Sequence, residues 1–257
     1  MHPERAAFAL RHLYVYPRLK IAYTYIPKNA CTSFKRTFGR AQGWLADDAP
    51  HAHGMRLDRW LRGLAAYPRS EERIVVVRDP FDRILSGYLN RFLMRDDAVA
   101  QHAMSTGLAD RVGPGATPPD VRFSDFVEYL ARTPDRRLNE HWRPQSDFLV
   151  GSYTRYIRFE HIAEDTAFLA ERDLTLETAR GHATSTNRRD LGPGWGERRA
   201  RRIRRVRRRR GALPTRENMY DDRLHALVAD RYAEDVELFG RGLDAAQDAT
   251  AAVRRTP

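Results

Sequence analysis

Two hydrophobic patterns alternate along the chain. Short continuous apolar runs, of the kind that suits strands buried on both faces, are followed by a polar turn and then by apolar positions at helical spacing. The first such unit opens with Ile21-Ala22-Tyr23-Thr24-Tyr25-Ile26. Pro27 ends the run, because it cannot donate to a strand ladder. Phe34, Thr37 and Phe38 then recur at helical spacing, which predicts a helix from near Thr32 to Gly39 or Gly43. The second unit opens at Arg73, and Ile74 to Val77 reads as a buried parallel strand. Asp79 is a good N-cap, Pro80 suits the first helical position, and Asp82 is a first-turn acid. Ile84, Leu85, Tyr88 and Phe92 make the inward stripe. A third strand is predicted over Tyr153 to Phe159. Strand, turn and helix in repetition predict an α/β domain with a central parallel β-sheet flanked by helices.

The remaining chain fills in around these units. Residues 1–19 read as an approach segment ending at Pro17. Asp47 to Gly54 is a polar turn containing His51-Ala52-His53. Leu57, Trp60, Leu61 and Leu64 predict a short amphipathic helix that Pro68 ends. Residues 98–120, rich in proline and glycine, read as a loop or lid with a short helix near 97–104. Ser124 is the expected cap of a helix carrying Phe126, Val127, Tyr129 and Leu130. Trp142 to Gln145 reads as a loop, Glu164 to Arg172 as a helix, and 181–196 as irregular. Thr215 is the expected cap of a last helix with Met219, Leu224, Leu227, Tyr232, Val236 and Phe239 inward and Gly240 as its stop. Residues 241–257 read as a frayed tail.

At 257 residues the chain is long enough for one domain with a substantial core, placed at about 20–240. No apolar run approaches the roughly eighteen residues of a membrane span, and the opening Met-His-Pro-Glu-Arg is not a signal peptide. A soluble, cytoplasmic protein is the expectation. Cys31 is the only cysteine, so an internal disulfide is excluded. The net charge is +11, and Glu197 to Arg210, with ten arginines and one glutamate, supplies nine of it. Ala200, Ile203 and Val206 fall at every third position of that run, which predicts a basic surface helix. It reads first as a solvated segment, with a patch for a polyanionic acceptor such as an acidic glycan and a nucleic-acid contact as the alternatives. Few aromatics interrupt it, so stacking on single strands is not supported.

The first unit has the makings of an anion site. A helix start offers unpaired N–H groups and the positive end of the macrodipole. Lys28 adds a charge, and Thr32 and Ser33 add hydroxyl donors. The triphosphate loop of nucleotide hydrolases is excluded, since its glycines and Gly-Lys-Ser/Thr ending are missing. A merely capped helix would carry the same pattern. Arg78 is expected at the carboxyl end of a central strand, where open α/β sheets bind ligands. An ion pair with Asp79 or Asp82 is the structural alternative for Arg78.

Two motifs then carry a resemblance. Pro27-Lys28-Asn29-Ala30-Cys31-Thr32-Ser33-Phe34-Lys35 resembles the 5′-phosphosulfate loop of sulfotransferases that use 3′-phosphoadenosine 5′-phosphosulfate (PAPS). Arg78-Asp79-Pro80-Phe81-Asp82-Arg83-Ile84-Leu85-Ser86-Gly87-Tyr88 resembles their 3′-phosphate motif, about fifty residues on. The match is to the carbohydrate sulfotransferases with Pro-Lys-x-Ala-Cys loops and, secondarily, to 2-O-sulfotransferases. It extends to Asn139-Glu-His-Trp-Arg-Pro-Gln145, Tyr156 to Ile162 and Arg231 to Gly240. The resemblance implies a P-loop-like nucleotide-binding sulfotransferase fold, PAPS as donor, 3′-phosphoadenosine 5′-phosphate (PAP) as product, and a hydroxyl acceptor, most readily a carbohydrate. It implies that Lys28 stabilises the leaving phosphate, and that Lys28, Asn29, Ala30, Cys31, Thr32 and Ser33 bind the 5′ end. Arg78 and Ser86 are implied to hold the 3′-phosphate. Arg188 and Arg189, in Ser185-Thr-Asn-Arg-Arg189, are the candidates to close over the nucleotide, with a plain surface turn as the alternative.

Sulfuryl transfer needs positioning, electrostatic stabilisation of the leaving group and a base for the acceptor hydroxyl. No metal site is expected. His51-Ala52-His53 resembles the His-x-His of 2-O-sulfotransferases, which makes His53 the candidate base and His51 its neighbour. His141 is the rival, although Trp142 and Pro144 beside it suggest a packed corner with Gln145 bonded to backbone. A catalytically weak sulfotransferase-like protein that binds nucleic acid or another polyanion through the arginine run is the alternative of another class. A small-molecule kinase is disfavoured by the missing Gly-Lys-Ser/Thr.

Overall fold

A computed structural model describes residues 3–46, 64–94, 98–177 and 187–241. The predicted turn with His51 and His53, most of the predicted helix over 57–64, and Ser185-Thr186 lie outside them. The chain forms two compact units and passes from one to the other and back twice. Residues 1–78, 145–179 and 237–257 belong to the first, and 79–144 and 180–236 to the second.

The first unit is built on a four-stranded sheet in the order β1 (Leu13–Tyr16), β2 (Ile21–Thr24), β3 (Glu72–Val77) and β4 (Arg155–Arg158). Strands β2, β3 and β4 are parallel, as the apolar runs predict. Ile74 and Val76 pack on one face with Tyr23, Phe34 and Phe38, while Val75 and Val77 pack on the other with Phe8, Ile26 and Phe148. Burial on both faces is why these runs are continuous rather than alternating.

The first nineteen residues depart from the expectation. They hold a helix, α1 (Pro3–Arg11), and then β1, which runs antiparallel to β2 with Tyr16 opposite Ile21. The sheet is therefore mixed. Pro17 is the turn of a hairpin: its carbonyl accepts from Lys20 N at 3.2 Å, and Lys20 sits at φ 52. Between β2 and β3, helix α2 (Cys31–Ala41) lays Phe34 on Tyr23, with ring centroids 5.1 Å apart, and Phe38 on Tyr16 at 5.4 Å.

The second unit is helical. Helices α3 (Pro80–Tyr88), α4 (Phe123–Arg132), α5 (Ala200–Arg210) and α6 (Asp222–Arg231) surround a core that includes Ile84, Leu85, Tyr88, Phe126, Trp142, Ile203 and Leu224. Residues 98–120 are not a lid. Helical pieces Ala98–Ala103 and Ala109–Val112 flank a bend at Gly107, φ 120, and Ala100, Ala103 and Leu108 are fully buried. The glycine supplies a bend between helices rather than a break in structure. Ser124 does not cap α4, since its hydroxyl donates to Glu197 at 2.9 Å while Asp125 accepts from Arg122 N at 3.0 Å. The last predicted helix is divided: Arg216–Met219 stands apart, and Asp221 caps α6 by accepting from Leu224 N at 2.7 Å. A short parallel pair, β5 (Arg188–Arg189) with β6 (Leu213–Pro214), completes the unit. No helix of the described residues is long and apolar enough to cross a membrane.

Candidate functional site

In the first unit, parallel register brings the ends of β2 and β3 side by side, with Thr24 opposite Val75. The loop from Pro27 to Ala30 therefore lies beside Arg78 at the carboxyl edge of the sheet. Two loop residues, Lys28 at φ 75 and Ala30 at φ 53, hold left-handed backbone without being glycine. Such conformations cost side-chain-bearing residues about 1–3 kcal/mol and gather at ligand sites. Turns of this kind point successive N–H groups toward one concavity.

Helix α2 then opens unusually. It has no side-chain cap and no acidic residue in its first turn. The second unit's α3 is the contrast. Asp79 Oδ1 accepts from Phe81 N at 2.8 Å and from Asp82 N at 3.1 Å, and Asp82 lies in the first turn. The positive end of α3 is thus neutralised by its own carboxylates, a cap worth about 1 kcal/mol. The start of α2 has no such carboxylate. Cys31 and Thr32, half-buried, stand at its start, and Ser33 is buried with its N–H on Ala30 O at 2.9 Å.

Arg78 is 5% exposed. Its guanidinium donates to the Lys28 carbonyl at 2.9 Å and lies over the Phe159 ring, 4.1 Å from the centroid. Within the second unit, Arg216 donates to Asp79 at 3.0 Å and Arg188 to Asp82 at 2.8 Å.

Asn29 has a structural part in the loop. Its side chain is fully buried and donates to Val76 O at 2.8 Å and to Gln145 Oε1 at 2.6 Å. Its own N–H closes a turn on Ile26 O at 3.2 Å. Gln145 completes the frame: its Oε1 also accepts from Arg78 N at 3.1 Å, and its Nε2 donates to Arg78 O at 2.9 Å. One buried amide thus fixes both the loop and the main chain of Arg78. The sequence signal for Gln145 was its place in Asn139-Glu-His-Trp-Arg-Pro-Gln145, and its bond to backbone is as expected. Lys35 is missing from the predicted set although buried; its ammonium lies 4.4 Å from the Tyr25 ring centroid.

In the second unit, Ser86 is 2% exposed on α3. Arg188 is brought to the first turn of the same helix by its pair with Asp82, whereas Arg189 is exposed. Arg83, fully buried, donates to Arg143 O at 2.9 Å and so fixes the turn that carries His141. His141 Nδ1 is 2.6 Å from Asn139 Oδ1, and its Nε2 faces Arg91. An acceptor oxygen on Nδ1 and a guanidinium on Nε2 suit a neutral ring with its proton on Nδ1. Trp142 is fully buried, and its carbonyl accepts from Tyr232 OH at 2.5 Å, which is the packed corner the sequence suggests. Among the described residues no group of three or more His, Cys, Asp or Glu is arranged to hold a metal ion.

A model of the sulfotransferase family matches residues 11–240. The chain belongs to the sulfotransferase family. Curated relatives agree with this. Carbohydrate sulfotransferase 14 of Homo sapiens is 30% identical over 57% of this chain and 44% of its own. Carbohydrate sulfotransferase 11 of Mus musculus is 27% identical over 63% and 53%. Carbohydrate sulfotransferase 12 of Xenopus laevis is 28% identical over 66% and 50%. The chain thus spans about half the length of the curated relatives it matches. No solved structure matches it significantly. As a sulfotransferase-family chain, it has both sequence motifs inside the matched region.

Proposed function

We propose that this chain transfers a sulfuryl group from PAPS to a hydroxyl of a carbohydrate. The observation that carries the reading is the uncapped start of α2, preceded by two left-handed residues and held beside Arg78 by Lys28 O and Gln145. That arrangement offers a helix start and a guanidinium at one sheet edge, groups that suit phosphate. The start of α2, Lys28, Thr32 and Ser33 would take the 5′ end, and Arg78, at the same sheet edge, the 3′-phosphate. PAPS, when bound, supplies the sulfuryl group and a phosphate leaving group.

The protein's share is electrostatic. Lys28 and the helix start would offer positive charge to the leaving phosphate as charge develops there. His53 is proposed to take the proton of the acceptor hydroxyl, with His51 beside it. The carbohydrate acceptor is supported by the names of the relatives. Thermal shift with PAP, AMP and ATP–Mg²⁺ tests the reading. Preferential stabilisation by PAP is expected; preference for ATP–Mg²⁺ would replace it with a kinase.

A further inference from the structure

Lys35, on α2 of the first unit, is 8% exposed. Its ammonium lies 4.4 Å from the Tyr25 ring centroid and 5.9 Å from that of Tyr14, and the two rings meet edge to face at 5.1 Å. Among the described residues, no carboxylate pairs with Lys35 and no carbonyl accepts from it. The other cations of this helix are served differently. Arg36 and Arg40 both pair with Glu177, the first at 3.1 Å. Burying a charge is costly unless an opposite charge or hydrogen bonds replace the lost water. Ring faces return only part of that cost. Folding alone would favour an apolar side chain of the same length at this position.

The place of Lys35 points to what completes its charge. It follows Cys31 by four residues, so the two lie one turn apart on the same side of α2. Helical side chains lean toward the N-terminus, which carries the lysine stem back toward the uncapped start. Tyr25, which seats the ammonium, stands just past the carboxyl end of β2 and two residues before Pro27. Its N–H donates to His12 O at 3.0 Å, which fixes the seat. An ammonium has three donors, and ring faces supply no lone pair for them. Phosphate and sulfonate oxygens do.

We propose that Lys35 binds the 5′-terminal anion of the donor, as a second cation beside Lys28. The proposal rests on the PAPS reading of this site. Lys28 stands in the loop at φ 75, whereas Lys35 is set on a helix and packed against two rings, so it has less freedom to lose on binding.

The test compares Lys35→Met with the parent, both as the full chain. Each is titrated with PAP and with adenosine 3′-phosphate, which lacks the 5′ group, and urea midpoints are measured without nucleotide. Methionine keeps most of the stem and removes the charge. PAP affinity is expected to fall by about tenfold or more, and that for adenosine 3′-phosphate to change by less than about twofold. The nucleotide-free midpoint should equal or exceed the parent's, because an unpaired buried charge is gone. Unchanged PAP affinity, or equal losses for the two nucleotides, would overturn the proposal. A lowered midpoint would overturn the claim that folding does not need the charge. A parent that binds PAP no more tightly than adenosine 3′-phosphate would instead overturn the PAPS reading itself.

Discussion

The guanidinium of Arg78 donates to the carbonyl of Lys28 at 2.9 Å. The residue proposed for the 3′-phosphate therefore also braces the residue proposed for the leaving group. A charged donor on a backbone carbonyl is stronger than a neutral one, and its near-complete burial shields it from water. This brace spans adjacent parallel strand ends, so it depends on the register of β2 and β3.

Arg78→Ala should weaken PAP much more than AMP, because only PAP carries the 3′-phosphate. Loss of a charge-assisted contact should cost about 1.5–3 kcal/mol. Calorimetric titration of both nucleotides checks this. Equal losses would mean that Arg78 acts on the loop alone.

Gln145→Leu removes the amide that serves Asn29 Nδ2, Arg78 N and Arg78 O. Leaving buried polar groups without partners should cost about 1–3 kcal/mol of stability. PAP affinity should fall as well, since the loop and Arg78 lose their common support. Urea unfolding and PAP titration read the two effects. A stable variant with normal PAP affinity would show that Gln145 does not frame the site.

Lys28→Ala should lower turnover more than donor affinity, because its proposed work is on charge that grows in the transition state. A contact of this kind is worth about 10²–10³ in rate. Initial-rate kinetics separate the two effects. A raised donor KM with unchanged kcat would remove the assignment.

Much of this site was legible because its chemistry is local. Asp79, Pro80 and Asp82 mark the start of α3, and Ile74 to Val77 mark a buried strand, through nearest-neighbour effects that a sequence displays directly. The antiparallel β1 was hidden. Leu13 to Tyr16 is apolar enough, but its pairing depends on a turn at Pro17 and Lys20 that a lone proline does not specify. Residues 98–120 were misread for a related reason. Glycine and proline favour turns locally, yet burial of Ala100, Ala103 and Leu108 outweighs that preference. Gln145 acts across long sequence separations, on Asn29 and Arg78, and no periodicity encodes such a bond.

Arg158 and Asp165 predict an acid response. Arg158, the last residue of β4, precedes the Phe159 ring under Arg78. Burial opposes the charge of Asp165, but hydrogen bonds from the Arg158 guanidinium at 2.6 Å and its N–H at 2.7 Å hold the carboxyl below its ordinary value. A lowered carboxyl pKa stabilises the fold above the unfolded value, about 3.9, and the benefit is lost as pH falls through the folded one. Asp165→Asn should thus be less stable than the parent at neutral pH. The gap should close on acidification below about pH 5. Urea midpoints across pH check this; a constant gap would mean that the pair contributes no acid-linked stability.

The proposed base is His53, and the structure sharpens its contest with His141. Both ring nitrogens of His141 are engaged, Nδ1 by Asn139 and Nε2 by Arg91, and its turn is fixed by buried Arg83 and Trp142. A general base needs a lone pair directed at the acceptor hydroxyl, and a guanidinium donating to Nε2 occupies the one that His141 would use. His53→Ala should therefore lower turnover by about 10²–10⁴ with PAP affinity and melting unchanged. His141→Ala should lower the melting temperature and reduce turnover less. Turnover, PAP affinity and melting measured on both variants decide between them. A folded but inactive His141→Ala beside an active His53→Ala would reverse the assignment. Activity in both would place the base on neither histidine.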